Sequence, residues 1–358
     1  MSEFDTLVFI GRFQPFHNGH KAVIDKALEI AKREVIIVIG SAFQSRSLRN
    51  PFTFQERKAM IEAVYNDPRL KIVPARDFPY DDNKWVAGIK SVVYNSMEYT
   101  ADPYRIGLIG HSKDESSFYL KIFPGWDHVD VPAVTTSPFG EGLTLDATQI
   151  RNHVLAGRWS RDVLRFVPHQ AEDVLEEILW DTSHDPDEVA TDVGKTLMSE
   201  FKMVAAYKKQ FEGFPYGDPK FLTADAVVHQ SGKVLLVKRK SSPGKGLWAL
   251  PGGFVNPGER MKDAAFRELA EETNIKVPEK VLRGSVSAEK LFDAPYRSDR
   301  GRTITLAQFI DLGFDERLPK VRAADDAEDC AWVNIHDIDP EKMFEDHYFI
   351  IDYFLNFA

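Results

Sequence analysis

Residues 7–31 constrain the fold more than any other stretch. Leu7–Ile10 (LVFI) is a short apolar run, the mark of a buried strand. Gly11–His20 (GRFQPFHNGH) follows as a loop holding Gly and Pro, and Lys21–Ala31 (KAVIDKALEIA) has helical spacing. A strand that runs through a short loop into a helix begins a βα unit, and parallel strands need such crossovers. The alternation continues. Val35–Ile39 reads as a strand, Phe54–Tyr65 as a helix capped by Thr53 with Glu56 at the capping-box position, and Lys71–Pro74 as a strand end. Trp85–Met97 reads as a helix and Arg105–Ile109 as another strand. The pattern predicts an α/β fold: a doubly wound parallel sheet with helices on both faces. Such sheets bind ligands beyond the carboxyl ends of their strands.

The informative residues fall at those ends. His17 and His20 share one face of the first helix start, with Asn18 read as its N-cap. A helix N-terminus offers free N–H groups and partial positive charge, and two imidazoles there complete a phosphate-holding corner. Gly19 leaves room for a base or ribose to approach the backbone. A pair of histidines also suggests zinc, but no Cys or third ligand lies nearby in sequence. The loop after the second strand carries Arg46 and Arg49. Tyr80–Trp85 (YDDNKW) follows the third strand and Gly110–Asp114 the fourth. Leu145–Arg151 (LDATQIR) opens a further helix, with Thr148 near its first turn and Arg151 placed to reach phosphate oxygens.

These strings resemble the nucleotidyltransferase superfamily, whose hallmark is His-x-Gly-His after a strand. Together they resemble its archaeal-type nicotinamide-mononucleotide adenylyltransferases over roughly the first half of the chain. The resemblance implies a Rossmann-like domain in which Gly11, Phe13, Gly19, Thr148 and Ile150 contact ATP. It implies that Arg12, His17, His20 and Arg151 serve the reaction, that Arg49 binds substrate, and that Trp85 stacks on the nicotinamide ring with Asn83 beside it. A core aromatic and a solvated loop charge are the plainer readings of Trp85 and Arg49. Asp146 stands where the family usually has Ser; it still caps a helix, but its charge is unwelcome beside a triphosphate. The implied chemistry needs no protein nucleophile. The mononucleotide's phosphate attacks the α-phosphorus of ATP, so alignment and charge neutralisation suffice, with Mg²⁺ on the triphosphate.

Asp187–Phe211 can form one amphipathic helix, and Glu212–Pro219 is a turn-rich stop. The expected domains are therefore 1–183, a helical connector at 184–214, and 215–358.

In the second half, Ala224–His229 and Lys233–Lys238 flank a Gln-Ser-Gly turn, a hairpin signal. Leu247–Glu259 (LWALPGGFVNPGE) then leads into a helix through Glu272. Glu268, Glu271 and Glu272 share one helix face, where like charges repel by about 0.2–0.5 kcal/mol per pair. Arg267 can pair with Glu271; a cation with a preference for oxygen ligands, Mg²⁺ or Mn²⁺, relieves the rest. The string fits the Nudix box. Gly253, Glu259, Arg267, Glu268, Leu269, Glu271, Glu272 and Ile275 hold their places, and Asn274 replaces the expected Gly at the helix end. Asn is the next best residue for a left-handed cap. The resemblance implies an α/β/α Nudix domain with a mixed sheet, metal ligands Glu268, Glu271 and Glu272, and a catalytic role for Glu268 and Glu272. The general base is Glu268 or an acid of Ala323–Asp329. Phe292–Thr305 resembles a segment of ADP-ribose pyrophosphatases; its Arg297, Arg300 and Arg302 hold substrate phosphates or face solvent.

The chain has 358 residues, net charge −10 and one cysteine, Cys330. This argues against general nucleic-acid binding, an intrachain disulfide and a thiolate metal site. No signal-peptide pattern or bilayer-length apolar run is read, so a cytoplasmic location is expected. The two resemblances imply a bifunctional enzyme of NAD metabolism. One half joins ATP and nicotinamide mononucleotide into NAD; the other splits ADP-ribose into AMP and ribose 5-phosphate. The alternatives are another phosphate acceptor for the first half, and a second half that cleaves a different nucleoside diphosphate or only senses ADP-ribose. No nucleic acid or membrane partner is expected, and a homo-oligomer is left open.

Overall fold

The computed structural model describes residues 4–98, 105–111, 122–134, 136–137, 140–141, 145–181, 189–215, 217–324 and 326–356. The chain divides into two compact units, Met1–Phe201 and Lys202–Ala358.

In the first unit, β1 (Phe4–Gly11), α1 (Asn18–Ile30), β2 (Ala31–Ile39), α2 (Phe54–Glu62), β3 (Leu70–Pro74), α3 (Asp82–Ser96), β4 (Ile106–Gly110) and β5 (Asp127–Asp130) alternate. The strands form one parallel sheet in the order β3-β2-β1-β4-β5. The strand order reverses between β1 and β4, the switch point where this class of sheet opens a crevice. Leu7–Ile10 of β1 and Val35–Ile39 of β2 are apolar and buried throughout because helices cover both faces. Accordingly Leu7, Phe9 and Ile37 join one core cluster, and Val8, Ile36 and Val38 join another.

Two short strand pairs follow, β6 (Thr136–Ser137) with β7 (Gly140–Glu141) and β8 (Trp180–Asp181) with β9 (Val189–Ala190). Between them lie α4 (Ala147–Leu155), α5 (Arg161–Leu164) and α6 (His169–Leu179). Then comes α7 (Asp192–Lys209), shorter than the helix expected over 187–211 because Val189–Ala190 pairs as strand β9; the division between the two units falls inside α7.

The second unit is built on a mixed sheet. Its strands are β10 (Lys220–Gln230), β11 (Lys233–Arg239), β12 (Trp248–Ala249), β13 (Gly252–Phe254), β14 (Val286–Phe292), β15 (Arg302–Asp311) and β16 (Ala327–Asn334). The path is β12-β11-β10-β15-β14, with β13 on β10 and β16 on β11; β10 and β15 are parallel. The hairpin read from Gln230-Ser-Gly232 is the β10–β11 connection. Helix α8 (Met261–Thr273) buries Ala264, Ala265, Phe266 and Leu269, which turns its acids the other way. α9 (Glu279–Gly284) and α10 (His347–Leu355) complete the unit. Among the described residues no helix is long and apolar enough to cross a membrane.

Candidate active sites

A cavity of about 300 Å³ lies in the second unit and one of about 250 Å³ in the first. The smaller one opens at the carboxyl end of β1. Its wall gathers Gly11, Arg12, Phe13, His17, Gly19, His20, Thr148 and Arg151, all singled out from sequence. His17, not Asn18, is the N-cap of α1: its Nδ1 accepts the Gly19 N–H at 3.0 Å. An imidazole whose Nδ1 accepts carries its proton on Nε2, so the ring keeps a donor for an anion. Asn18 instead donates to the Arg165 carbonyl. The His17 and His20 rings stack with centroids 3.7 Å apart. Gly19 has no room for a side chain, because a Cβ would lie 2.8 Å from the His17 ring.

Helix α4 supplies the other wall. Asp146 caps it by accepting the Thr148 N–H at 2.8 Å, so the Asp in place of Ser preserves the helix start. Arg151 is buried and donates to the Gln14 carbonyl at 2.9 Å. Ile150 is fully buried in the core and is absent from the cavity wall. His111, which follows β4, lines the cavity and was not singled out. Its Nδ1 lies 3.1 Å from the Val131 carbonyl, which can only accept, so Nε2 of the neutral ring is the acceptor.

Arg49, Asn83 and Trp85 are not part of this wall. Trp85 packs on Phe123, ring centroids 5.6 Å apart, at the border of a core cluster. Arg46 is taken up by Glu56 through two 2.7 Å bonds, on the same Glu that closes the Thr53 capping box.

The larger cavity is lined by Glu268 and Glu272 of α8, Asp225 of β10, Arg239 of β11, Arg297, Arg300, Asp326, Glu345 and His347. Arg267 anchors the acids. Its fork meets both Glu259 oxygens at 2.8 and 3.0 Å, Glu268 at 2.8 Å, Glu271 at 3.0 Å and the Phe254 carbonyl at 3.0 Å. Glu272 accepts the Gly252 N–H at 3.1 Å. Burial pushes the Glu272 carboxyl up to about 8, against the pull of that N–H, and pushes Glu268 up against the pull of Arg267. Glu271 is exposed and absent from the cavity wall. Asn274 ends α8 at φ 47°, the left-handed cap expected of it.

Among the described residues no three His, Cys, Asp or Glu side chains already form a metal cage. The donor set nonetheless fits a divalent cation. Two half-buried carboxylates whose ionisation is disfavoured supply hard oxygen ligands, and a cation offsets the cost of their charge.

The arginine loop divides three ways. Arg297 is neither solvated nor available as a free fork: it makes a buried bidentate pair with Asp346 at 2.8 and 2.9 Å. Arg300 lines the cavity near Glu345, 3.9 Å away. Arg302 bonds the Asp293 backbone and is not in the wall. Sequence reading missed Asp225, Arg239, Glu345 and His347. Glu345 has a faint signal, a non-Gly residue at φ 46°, visible only in the fold.

The NUDIX domain family model matches residues 219–354, and the cytidylyltransferase-like model matches residues 8–86. A nicotinamide/nicotinic acid mononucleotide adenylyltransferase of Acinetobacter baylyi is 42% identical over 161 residues, covering 44% of this chain and 79% of that protein. An ADP-ribose pyrophosphatase of Methanocaldococcus jannaschii is 33% identical over 132 residues, 37% of this chain and 72% of that protein. A solved Francisella tularensis structure, a bifunctional NMN adenylyltransferase/ADP-ribose pyrophosphatase complexed with AMP and a Mn ion, superposes with a TM-score of 0.85 at 35% identity. That match covers 99% of each chain, so both cavities fall within it. The chain belongs to the family of bifunctional NMN adenylyltransferase/ADP-ribose pyrophosphatases.

Proposed function

We propose that the chain transfers AMP from ATP to nicotinamide mononucleotide, giving NAD and pyrophosphate, and hydrolyses ADP-ribose to AMP and ribose 5-phosphate. The observation that carries this is the two-way 99% coverage by a bifunctional relative, combined with two chemically distinct cavities in one chain. We assign residues 1–183 to adenylyl transfer, 184–214 to a connector and 215–358 to hydrolysis, acting in the cytoplasm.

In the first cavity, the His17 Nε2–H, His20, Arg12 and Arg151 are assigned to the phosphates. Their charge and donors neutralise the oxygens as the acceptor phosphate attacks the α-phosphorus and pyrophosphate leaves. Gly11, Phe13, Gly19 and Thr148 shape the ATP side; Ile150, behind the wall, is assigned there on motif alone. Arg49, Asn83 and Trp85 are assigned to the mononucleotide on motif alone. In the second cavity Glu268 and Glu272 are assigned to Mg²⁺ or Mn²⁺, with Glu271 as a third ligand. Such a cation, when bound, polarises the substrate's diphosphate and lowers the pKa of water. Glu268 and the Ala323–Asp329 loop both remain candidates for the base; Asp326 of that loop lines the cavity. Arg300 is the arginine best placed for substrate phosphate; Arg297 supports the wall, and Arg302 acts from outside it.

The test incubates the protein with ATP, nicotinamide mononucleotide and Mg²⁺, and separately with ADP-ribose and Mg²⁺. NAD in the first and AMP in the second are expected. Failure of either product removes that half of the proposal.

A further inference from the structure

Arg57 of α2 is a buried cation that neither motif includes. Its side chain is fully excluded from solvent. Every hydrogen bond it makes goes to a neutral carbonyl: Nη1 to Arg12 at 2.8 Å and Gly40 at 2.7 Å, Nη2 to Ser41 at 3.0 Å, Nε to Thr53 at 3.1 Å. Asp77 and Glu56 compensate its charge only from a distance, without a hydrogen bond to it, and Asp77 is itself bonded to Ser41 and Gln44. Burial pulls the Arg57 guanidinium down to about 10. Keeping an ion in such a place is costly, because it has given up its water. A neutral side chain would fill the space without that cost, so the charge and the fork need a reason.

The reason lies in what the fork holds. Arg12 directly follows β1 and lines the first cavity; Gly40 directly follows the neighbouring strand β2. The Arg12–Phe13 peptide turns its carbonyl onto Arg57. In a trans planar peptide the N–H points the opposite way, so the Phe13 N–H is directed away from Arg57. Phe13 lines the cavity, and its N–H meets no acceptor among the described residues. Phe13 also sits at φ 53°, a left-handed conformation that a bulky side chain resists. Something must hold that turn, and the Arg57 bond to the Arg12 carbonyl does so.

We propose that Arg57 is a positioning residue of the adenylyl-transfer site, holding the Arg12–Phe13 peptide turned so that the Phe13 N–H is presented to a phosphate of ATP. The inference rests on reading the first cavity as the ATP site. Arg57 touches no reacting atom; it acts through the backbone and adds a positive field from beneath the loop.

Arg57→Lys in the full-length protein keeps the charge and loses the flat fork that reaches three loop carbonyls. Calorimetric titration with ATP reads the competent fraction as stoichiometry and the affinity of each competent molecule as Kd. The expected result is a Kd about tenfold weaker or more. KM for ATP should rise in parallel, while KM for nicotinamide mononucleotide and the rate of ADP-ribose hydrolysis hold. An unchanged Kd in whatever fraction still binds overturns the proposal. Should the variant fail to fold, phenyllactate in place of Phe13 provides the second arm, since it exchanges one N–H for oxygen and leaves the side chain intact. About a tenfold weaker Kd is expected again, and an unchanged one overturns the role. Wild-type protein that binds no ATP would remove the underlying reading of the cavity, a result distinguishable from either variant's.

Discussion

The two cavities handle the same kind of group with different side chains. The first presents donors: a helix N-terminus, stacked imidazoles and arginines, held from beneath by Arg57. The second mixes signs: Glu268, Glu272, Asp225, Asp326 and Glu345 share one wall with Lys238, Arg239, Lys240, Arg297 and Arg300. The first pocket offers phosphate its donors directly. In the mixed pocket the carboxylates suit a cation, and the basic side chains beside them suit the phosphates. The supports differ in the same sense. Arg57 bonds carbonyls and turns a peptide; Arg267 bonds carboxylates and sets their spacing.

The contrast can be broken most severely at Glu272. Glu272→Gln should lower ADP-ribose hydrolysis by about 10³-fold or more while adenylyl transfer is unchanged. Loss of both activities in a folded variant would contradict the separation. The next largest effect is the reverse case. His17→Ala should reduce NAD formation about 10²- to 10³-fold and leave AMP release from ADP-ribose intact. It should also cost about 1 kcal/mol as a lost cap. His17→Asn sharpens the point: calorimetry should show the cap restored while the rate stays low.

A smaller effect is on pH. The Glu272 carboxyl is raised from its ordinary 4.5 to about 8, so the fold favours its neutral form. In cation-free protein that contribution to stability is full below about pH 4.5 and is lost as pH rises through about 8. Cation binding needs the carboxylate and releases the proton. Mn²⁺ affinity should therefore climb up to about tenfold per pH unit below that value and level off above it. Titration calorimetry at several pH values reads this slope, which Glu272→Gln should reduce. The smallest effect expected is at Asn274, where Gly relieves a left-handed strain of about 1 kcal/mol and should raise the unfolding temperature without touching either rate.

Much of both cavities was legible because their key groups lie close together in sequence. Gly11–His20 places two imidazoles on one helix turn, and Gly253–Glu272 places two acids on another; local spacing then fixes which faces meet. The groups that were missed arrive from far along the chain. Asp225 comes from β10, Arg239 from β11, Glu345 from the approach to α10 and His347 from its first turn. Arg239 and Glu345 look like any charged residue in a polar stretch, and Asp225 is a single acid inside an apolar strand, until the fold brings them to one wall. Arg297 shows the converse. Its loop resembled a phosphate clasp, but Asp346, far off in sequence, takes its fork. The N-cap of α1 was misplaced by one residue because an imidazole Nδ1 can cap as an Asn oxygen does.

Gly253 shows how an absent atom can set a measurement. Its backbone is not left-handed, so conformational latitude is not why glycine is there. A methyl group at that position would stand 2.4 Å from a Glu268 oxygen. Alanine would therefore act as a wedge, tilting the carboxylate out of its seat with no charge altered. The tolerance of this pocket is fixed by a missing carbon as firmly as by any acid it contains.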